Sequence, residues 1–265
     1  MGRGIAQMMV QAGSQVLLLD AQPGMAQSAC HGVVLQWQRM VEKGHIDAAQ
    51  ADAFARKLAP VDTLAALADC DLVVEAIVER LDAKQALLRE LEGLLRPDAA
   101  LATNTSSLSV TAIGAALQRP QRFAGLHFFN PVSLMKLVEV VPGLRTDPAL
   151  CTALAELVRQ MGHTPVQAQD TPGFIVNHAG RGYTTEALRV VGEGVADFAT
   201  VDRILRDQVG FKLGPFELLD LTGIDVSHPV MESIYHQYHE EPRYRPSPWL
   251  RRRGAIGLSL QLEEE

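Results

Sequence analysis

The chain has 265 residues, 47% hydrophobic and 21% charged, a balance that excludes disorder as a whole. Its net charge of -7 leaves no basic footprint for nucleic acid, the only dense basic run being Arg251-Arg252-Arg253. No uncharged apolar run approaches the roughly 18–20 residues of a membrane-spanning helix, and the scattered Cys30, Cys70 and Cys151 draw neither a disulfide framework nor a metal knuckle.

In chain order, Gly2-x-Gly4 opens a helical stretch over 5–12, and a strand over 15–20 ends in Asp20. A long helical stretch follows over 26–43. Strands are then predicted over 71–78, 99–103, 123–129, 137–141 and 164–168, with helices over 84–95 and 149–161. The near-continuous apolar character of the strands suits burial on both faces. Strand–helix alternation predicts a parallel sheet covered on both sides, over residues 1–170. Beyond Asp170 the strand signal fades. Thr171-Pro172 reads as a helix start, and helices are predicted over 173–192, 200–209, 215–222 and 228–238, giving an all-helical second domain over 171–265. The apolar stretch after Met1 breaks at Gln7 and Gln11, which is no signal peptide, and the scattered, odd-numbered cysteines make a reducing cytoplasm the expected home.

Glycine opening a helix, then a strand ending in an acid, is the back half of a dinucleotide-binding unit. The helix start offers free N–H groups to a pyrophosphate, and the carboxylate of Asp20 suits a ribose diol and repels a 2′-phosphate, favouring NAD. If Gly2 is the third fingerprint glycine, the first strand and the first two glycines are missing from this chain. An ordinary strand-end aspartate is the plain alternative.

Asn104-Thr105-Ser106-Ser107 follows a strand, where open α/β sheets bind ligands. It suits holding an amide or a hydroxyl, or capping a helix from Ser109. His127 ends an apolar strand, and Glu139 sits within another. A carboxylate there must find a partner or be neutralised. The twelve residues between them leave room for a strand–turn–strand return that sets them side by side. Such a pair moves a proton beside a hydride, or is a buried ion pair without chemistry. His236 and His239 lack supporting ligands, and no metal site is expected.

Six blocks carry a resemblance: DLVVEAIVE at 71–79, NTSSL at 104–108, FAGLHFFNP at 123–131, MKLVEVV at 135–141, DTPGFIVN at 170–177 and GPFELLD at 214–220. Together they resemble the 3-hydroxyacyl-CoA dehydrogenase family, and the later stretch is similar to bacterial members linked to phenylacetate breakdown. The resemblance implies an α/β fold with a Rossmann-like NAD-binding domain, its first strand missing, followed by a helical domain that forms a homodimer interface. It implies oxidation of an L-3-hydroxyacyl-CoA to a 3-oxoacyl-CoA, with His127 as acid/base and Glu139 as its partner. Ser106 and Asn177 complete the substrate site, and Lys43 matches a lysine near the CoA phosphates. Gly2, Asp20, Glu79, Lys84, Asn104 and Asn130 match cofactor-contacting positions. An exposed i, i+5 arrangement is the alternative for Glu79 and Lys84, and an exposed helix end for Lys43. Two other functions stay open: a related dehydrogenase of a free hydroxy acid such as L-gulonate, and a non-catalytic acyl-CoA-binding relative.

Overall fold

The computed structural model describes residues 1–248 and 250; the basic run 251–253 and the acidic end 263–265 lie outside the described residues. The chain divides into two compact units. One comprises Met1–Thr105 and Ser109–Asp170; the other takes Ser106–Leu108 and the chain from Thr171 onward.

The first unit runs α1 (Gly2–Gln11), β1 (Val16–Leu19), α2 (Met25–Glu42), α3 (Ala48–Ala55), β2 (Leu58–Val61), β3 (Leu72–Glu75), α4 (Leu81–Leu94), β4 (Ala100–Thr103), α5 (Val110–Gly114), β5 (Phe123–Phe128), β6 (Leu137–Pro142), α6 (Pro148–Gln160) and β7 (Thr164–Gln167). Each helix has a local cause. Asp47 and Gln50 form a reciprocal cap on α3. Asp147 caps α6, Pro148 stands at its first position, and Leu150, Leu154 and Val158 repeat at helical spacing to face the sheet. Each such buried side chain contributes about 1.5–3 kcal/mol.

The strands form a parallel pair β1–β2 and a five-stranded sheet ordered β3-β4-β5-β6-β7. Two expectations need correction. The larger sheet is mixed, because the short return from β5 to β6 makes that pair antiparallel while the others are parallel. Burial on both faces holds for β4 and β5, but β1 and β3 are largely half-exposed. Their exposure follows from the break in the sheet, since among the described residues no strand joins β1 to β3. Helix α1 spans that break. Its Ile5 and Met8 pack in the cluster that takes in Leu72, Val74 and Ala76, while Ala6 and Val10 pack with Val16, Leu18, Trp37 and Leu58.

The second unit is helical: α7 (Val176–Gly192), α8 (Phe198–Asp207), α9 (Pro215–Thr222) and α10 (Ile224–Gln237), with a core of Leu188, Val201, Phe216, Leu219 and Met231 among others. The expected helix start at Thr171-Pro172 is instead a turn. Gly173 and Phe174 both have positive φ, and the Phe174 amide donates to Thr171 O, so α7 begins three residues later than expected. Helix α10 begins at Ile224, four residues before its expected start, and carries Pro229 in its interior. At the start of α9 the carboxylate of Asp202 accepts from the amides of Phe216 and Glu217. A Cβ on Gly214 would stand 2.2 Å from Asp202 Oδ1, so only glycine fits there.

Candidate active site

The antiparallel register of β5 and β6 sets His127 opposite Glu139. Leu126, Phe128, Val138 and Val140 alternate with them and fill the core on one face, which sends both polar side chains to the other. Nδ1 of His127 lies 2.7 Å from Glu139 Oε2, and the glutamate is fully enclosed. A carboxylate this deep requires such a partner. The Phe129 ring packs 4.4 Å from the imidazole centroid. Because Nδ1 is turned to Glu139, Nε2 faces away from it, the geometry of an oriented acid/base.

The carboxyl ends of the neighbouring strands are tied together. The backbone N–H of Asn104 donates to Glu75 O at 2.8 Å, and its side-chain Oδ1 accepts from the amide of Phe128 at 2.9 Å, so one residue links the ends of β3, β4 and β5. Of the pair Lys84 and Glu79, the lysine is buried and the glutamate exposed. Lys84 is 1% exposed, with its ammonium 2.7 Å from Glu75 Oε1 and 3.3 Å from Glu79 Oε2. Glu75, which the sequence reading missed, also accepts from the Ile77 amide and from Thr103 Oγ1. Thr105 Oγ1 donates to Glu79 at 2.7 Å. An acid closing an apolar strand was the available signal for Glu75, the same signal that singled out Asp20.

Asp20 is exposed at the end of β1, where its Oδ1 accepts from the Gln22 amide. Gly2 opens α1 beside the end of β3; a Cβ there would meet Ala76 at 3.9 Å. No side chain caps this helix, and no acidic residue stands in its first turn. Asn130 is exposed just beyond β5, and Lys43 is exposed at the end of α2, with no side-chain hydrogen bond or ion pair to the other predicted residues among the described residues. A groove of about 320 Å³ along α6 and β7, lined by Cys151, Arg159 and Gln167 among others, contains none of the predicted residues.

In the second unit, Asn177 donates through Nδ2 to Ser106 O at 3.1 Å. It stands in the first turn of α7. Gln237, also missed, donates to Ser107 O at 2.6 Å and to Ser233 Oγ. Two amide side chains thus fix the short segment Ser106–Leu108 by its carbonyls. His236 and His239 are exposed. Among the described residues no group of three His, Cys, Asp or Glu side chains is placed to hold a metal ion.

An α/β unit with an acid closing its first strand, and a histidine oriented by a buried glutamate across two later strands, has the parts expected of a dinucleotide-dependent site. The family model described as "3-hydroxyacyl-CoA dehydrogenase, NAD binding domain" matches residues 1–171, and that of the "3-hydroxyacyl-CoA dehydrogenase, C-terminal domain" matches residues 173–260. The chain belongs to the 3-hydroxyacyl-CoA dehydrogenase family. It is 44% identical to a 3-hydroxyadipyl-CoA dehydrogenase of Escherichia coli over 93% of this chain and 52% of that protein. It is 37% identical to a probable 3-hydroxybutyryl-CoA dehydrogenase of Deinococcus radiodurans over 97% of this chain and 92% of that one. A crystal structure of 3-hydroxybutyryl-CoA dehydrogenase from Escherichia coli superposes with a TM-score of 0.93 at 42% identity, covering 97% of this chain and 54% of that one. The chain therefore spans about half the length of the Escherichia coli relatives and nearly all of the Deinococcus one.

Proposed function

We propose that this chain oxidises an L-3-hydroxyacyl-CoA to the 3-oxoacyl-CoA with NAD. The observation that carries the reading is the enclosed His127–Glu139 pair. NAD, when bound, supplies the acceptor for the hydride that leaves C3. The C3 hydroxyl gives its proton to Nε2 of His127, and the C3–O bond becomes a carbonyl. Glu139 holds the ring through Nδ1 and offsets the charge the imidazole gains.

The residues present fit the cofactor. Helix α1 opens without a capping side chain or a nearby acid, which suits a pyrophosphate, and exposed Asp20 suits the ribose diol. Gly2, Glu79, Asn104 and Asn130 are assigned to the same cofactor. The ammonium of Lys84 is engaged by Glu75 and Glu79, so its part is to hold Glu79 in place. Ser106 and Asn177 are assigned to the substrate hydroxyl, and exposed Lys43 to the CoA phosphates. A homodimer through the helical unit and residence in a reducing cytoplasm complete the reading. Three free cysteines and the lack, among the described residues, of a helix long and apolar enough to cross a membrane accord with it.

The test is NADH formation from 3-hydroxybutyryl-CoA and from L-gulonate, with calorimetric titration of NAD. Turnover of the thioester alone supports the reading. Preference for the free acid, or NAD binding without turnover of either compound, defeats it.

A further inference from the structure

Arg181 stands in α7 four residues beyond Asn177, and so on the same face of the helix one turn further along. It is 8% exposed. No carboxylate among the described residues pairs with it, and its Nε is enclosed without a hydrogen-bond partner. Burial lowers the guanidinium to about 10, with desolvation as the cause, so it remains a cation at neutral pH. Other deeply buried charges are matched: Lys84 by Glu75, Glu139 by His127, and Asp202 by two helix amides. Buried charges are normally paired. Gly180 and Gly182 flank Arg181, and beyond their chain neighbours and the helix backbone no atom lies within 4 Å of where their Cβ atoms would stand. Glycine disfavours a helix interior, so two of them beside this arginine carry a cost in helix propensity.

We propose that Arg181 receives the far carboxylate of a 3-hydroxyacyl-CoA whose acyl chain ends in a carboxylic acid. The proposal rests on the dehydrogenase reading above and names its substrate class. Four residues of α7 rise about 6 Å. That suits an acyl chain with two or three methylene groups between the hydroxyl-bearing carbon, at Asn177 and Ser106, and the carboxylate. A guanidinium fork meets a carboxylate with two parallel hydrogen bonds, and it rejects a chain that ends in a methyl group by leaving its own donors unmatched.

The experiment compares kcat and KM for 3-hydroxyadipyl-CoA and 3-hydroxybutyryl-CoA in the full chain and in Arg181→Met and Arg181→Lys. The wild type should favour the dicarboxylic substrate. In Arg181→Met the ratio of the two kcat/KM values should fall about ten- to a hundredfold. The fall should come mainly through KM, because the contact is remote from C3. Arg181→Lys should give an intermediate ratio. A general loss of folded enzyme cancels in the ratio. Should the Met variant not fold, calorimetry of the wild type with adipyl-CoA and hexanoyl-CoA decides the same point: the dicarboxylic thioester should bind more tightly. Equal use or equal binding of the two substrates overturns the proposal and leaves the dehydrogenase reading standing. So does an unchanged ratio in Arg181→Met accompanied by a change in oligomer mass, which would assign the arginine to a subunit contact. Failure to form NADH from either thioester defeats the dehydrogenase reading, and the proposal with it.

Discussion

His127 meets Glu139 through one ring nitrogen, so substitutions at the two positions separate proton transfer from the orientation of the ring. His127→Ala should lower kcat by at least the ~10²–10⁴-fold that general acid–base catalysis contributes, with NAD affinity by calorimetry nearly unchanged. Glu139→Gln keeps a hydrogen-bonding side chain and loses the charge, so its kcat should fall less. A histidine variant retaining more than half the activity would remove this residue from the mechanism. Asp20 is tested by cofactor choice. Its carboxylate accepts from a diol and repels a phosphate, so Asp20→Ala should narrow the preference for NAD over NADP; an unchanged kcat/KM ratio would release it from that role. The pair was legible in the sequence because two polar residues interrupt apolar strands at a spacing a tight return can close. Arg181 was not legible. An arginine in a helix reads as a solvated charge, and only its packing in the second unit shows that it is enclosed.

At the scale of elements, one buried cation ties α4 to β3. Lys84 reaches back nine residues to Glu75, whose carboxylate also holds the Ile77 amide and the Thr103 hydroxyl. Lys84→Met removes the ammonium but leaves the carboxylate in place, and breaking a buried pair this way costs about 3–5 kcal/mol. Urea unfolding should show that loss; a change under 1 kcal/mol would mean the carboxylate is neutralised or rehydrated in the variant. This contact was hidden because strand and helix have different periods, and neither pattern relates position 75 to position 84. Strand β2 went unread for another reason. Leu58–Val61 contains Pro60 and few large apolar side chains, so its strand character comes from pairing with β1. The start of α7 misled because threonine followed by proline is a good opening, while two positive φ angles just beyond it turn the chain first.

Across the molecule, the first unit has a seam. The β1–β2 pair is joined to the five-stranded sheet through α1 and not through strand pairing among the described residues. Two-stranded sheets are marginal alone, and locally weak regions open below the global unfolding energy. Hydrogen exchange should therefore release the amides of β1 and β2 before those of β4 and β5. Equal protection would show that α1 alone makes the two sheets one cooperative body. The overall class, sheet then helices, was legible because strand signals stop near Asp170. The seam was legible only in part, since half a dinucleotide fingerprint leaves the neighbours of β1 and β3 open but does not say which helix covers the gap.

The second unit is not continuous in sequence: Ser106–Leu108 belongs to it, although sixty-odd residues of the first unit follow before Thr171. A gene cut at residue 170 would not yield two modules. The carboxy-terminal piece would leave behind the carbonyls of Ser106 and Ser107 that Asn177 and Gln237 grip. A chimaera exchanged at that point would inherit its Ser106–Leu108 counterpart from the other parent. Inheritance of the helical half is therefore tied to a tripeptide encoded far upstream, and recombination between relatives is constrained to carry both.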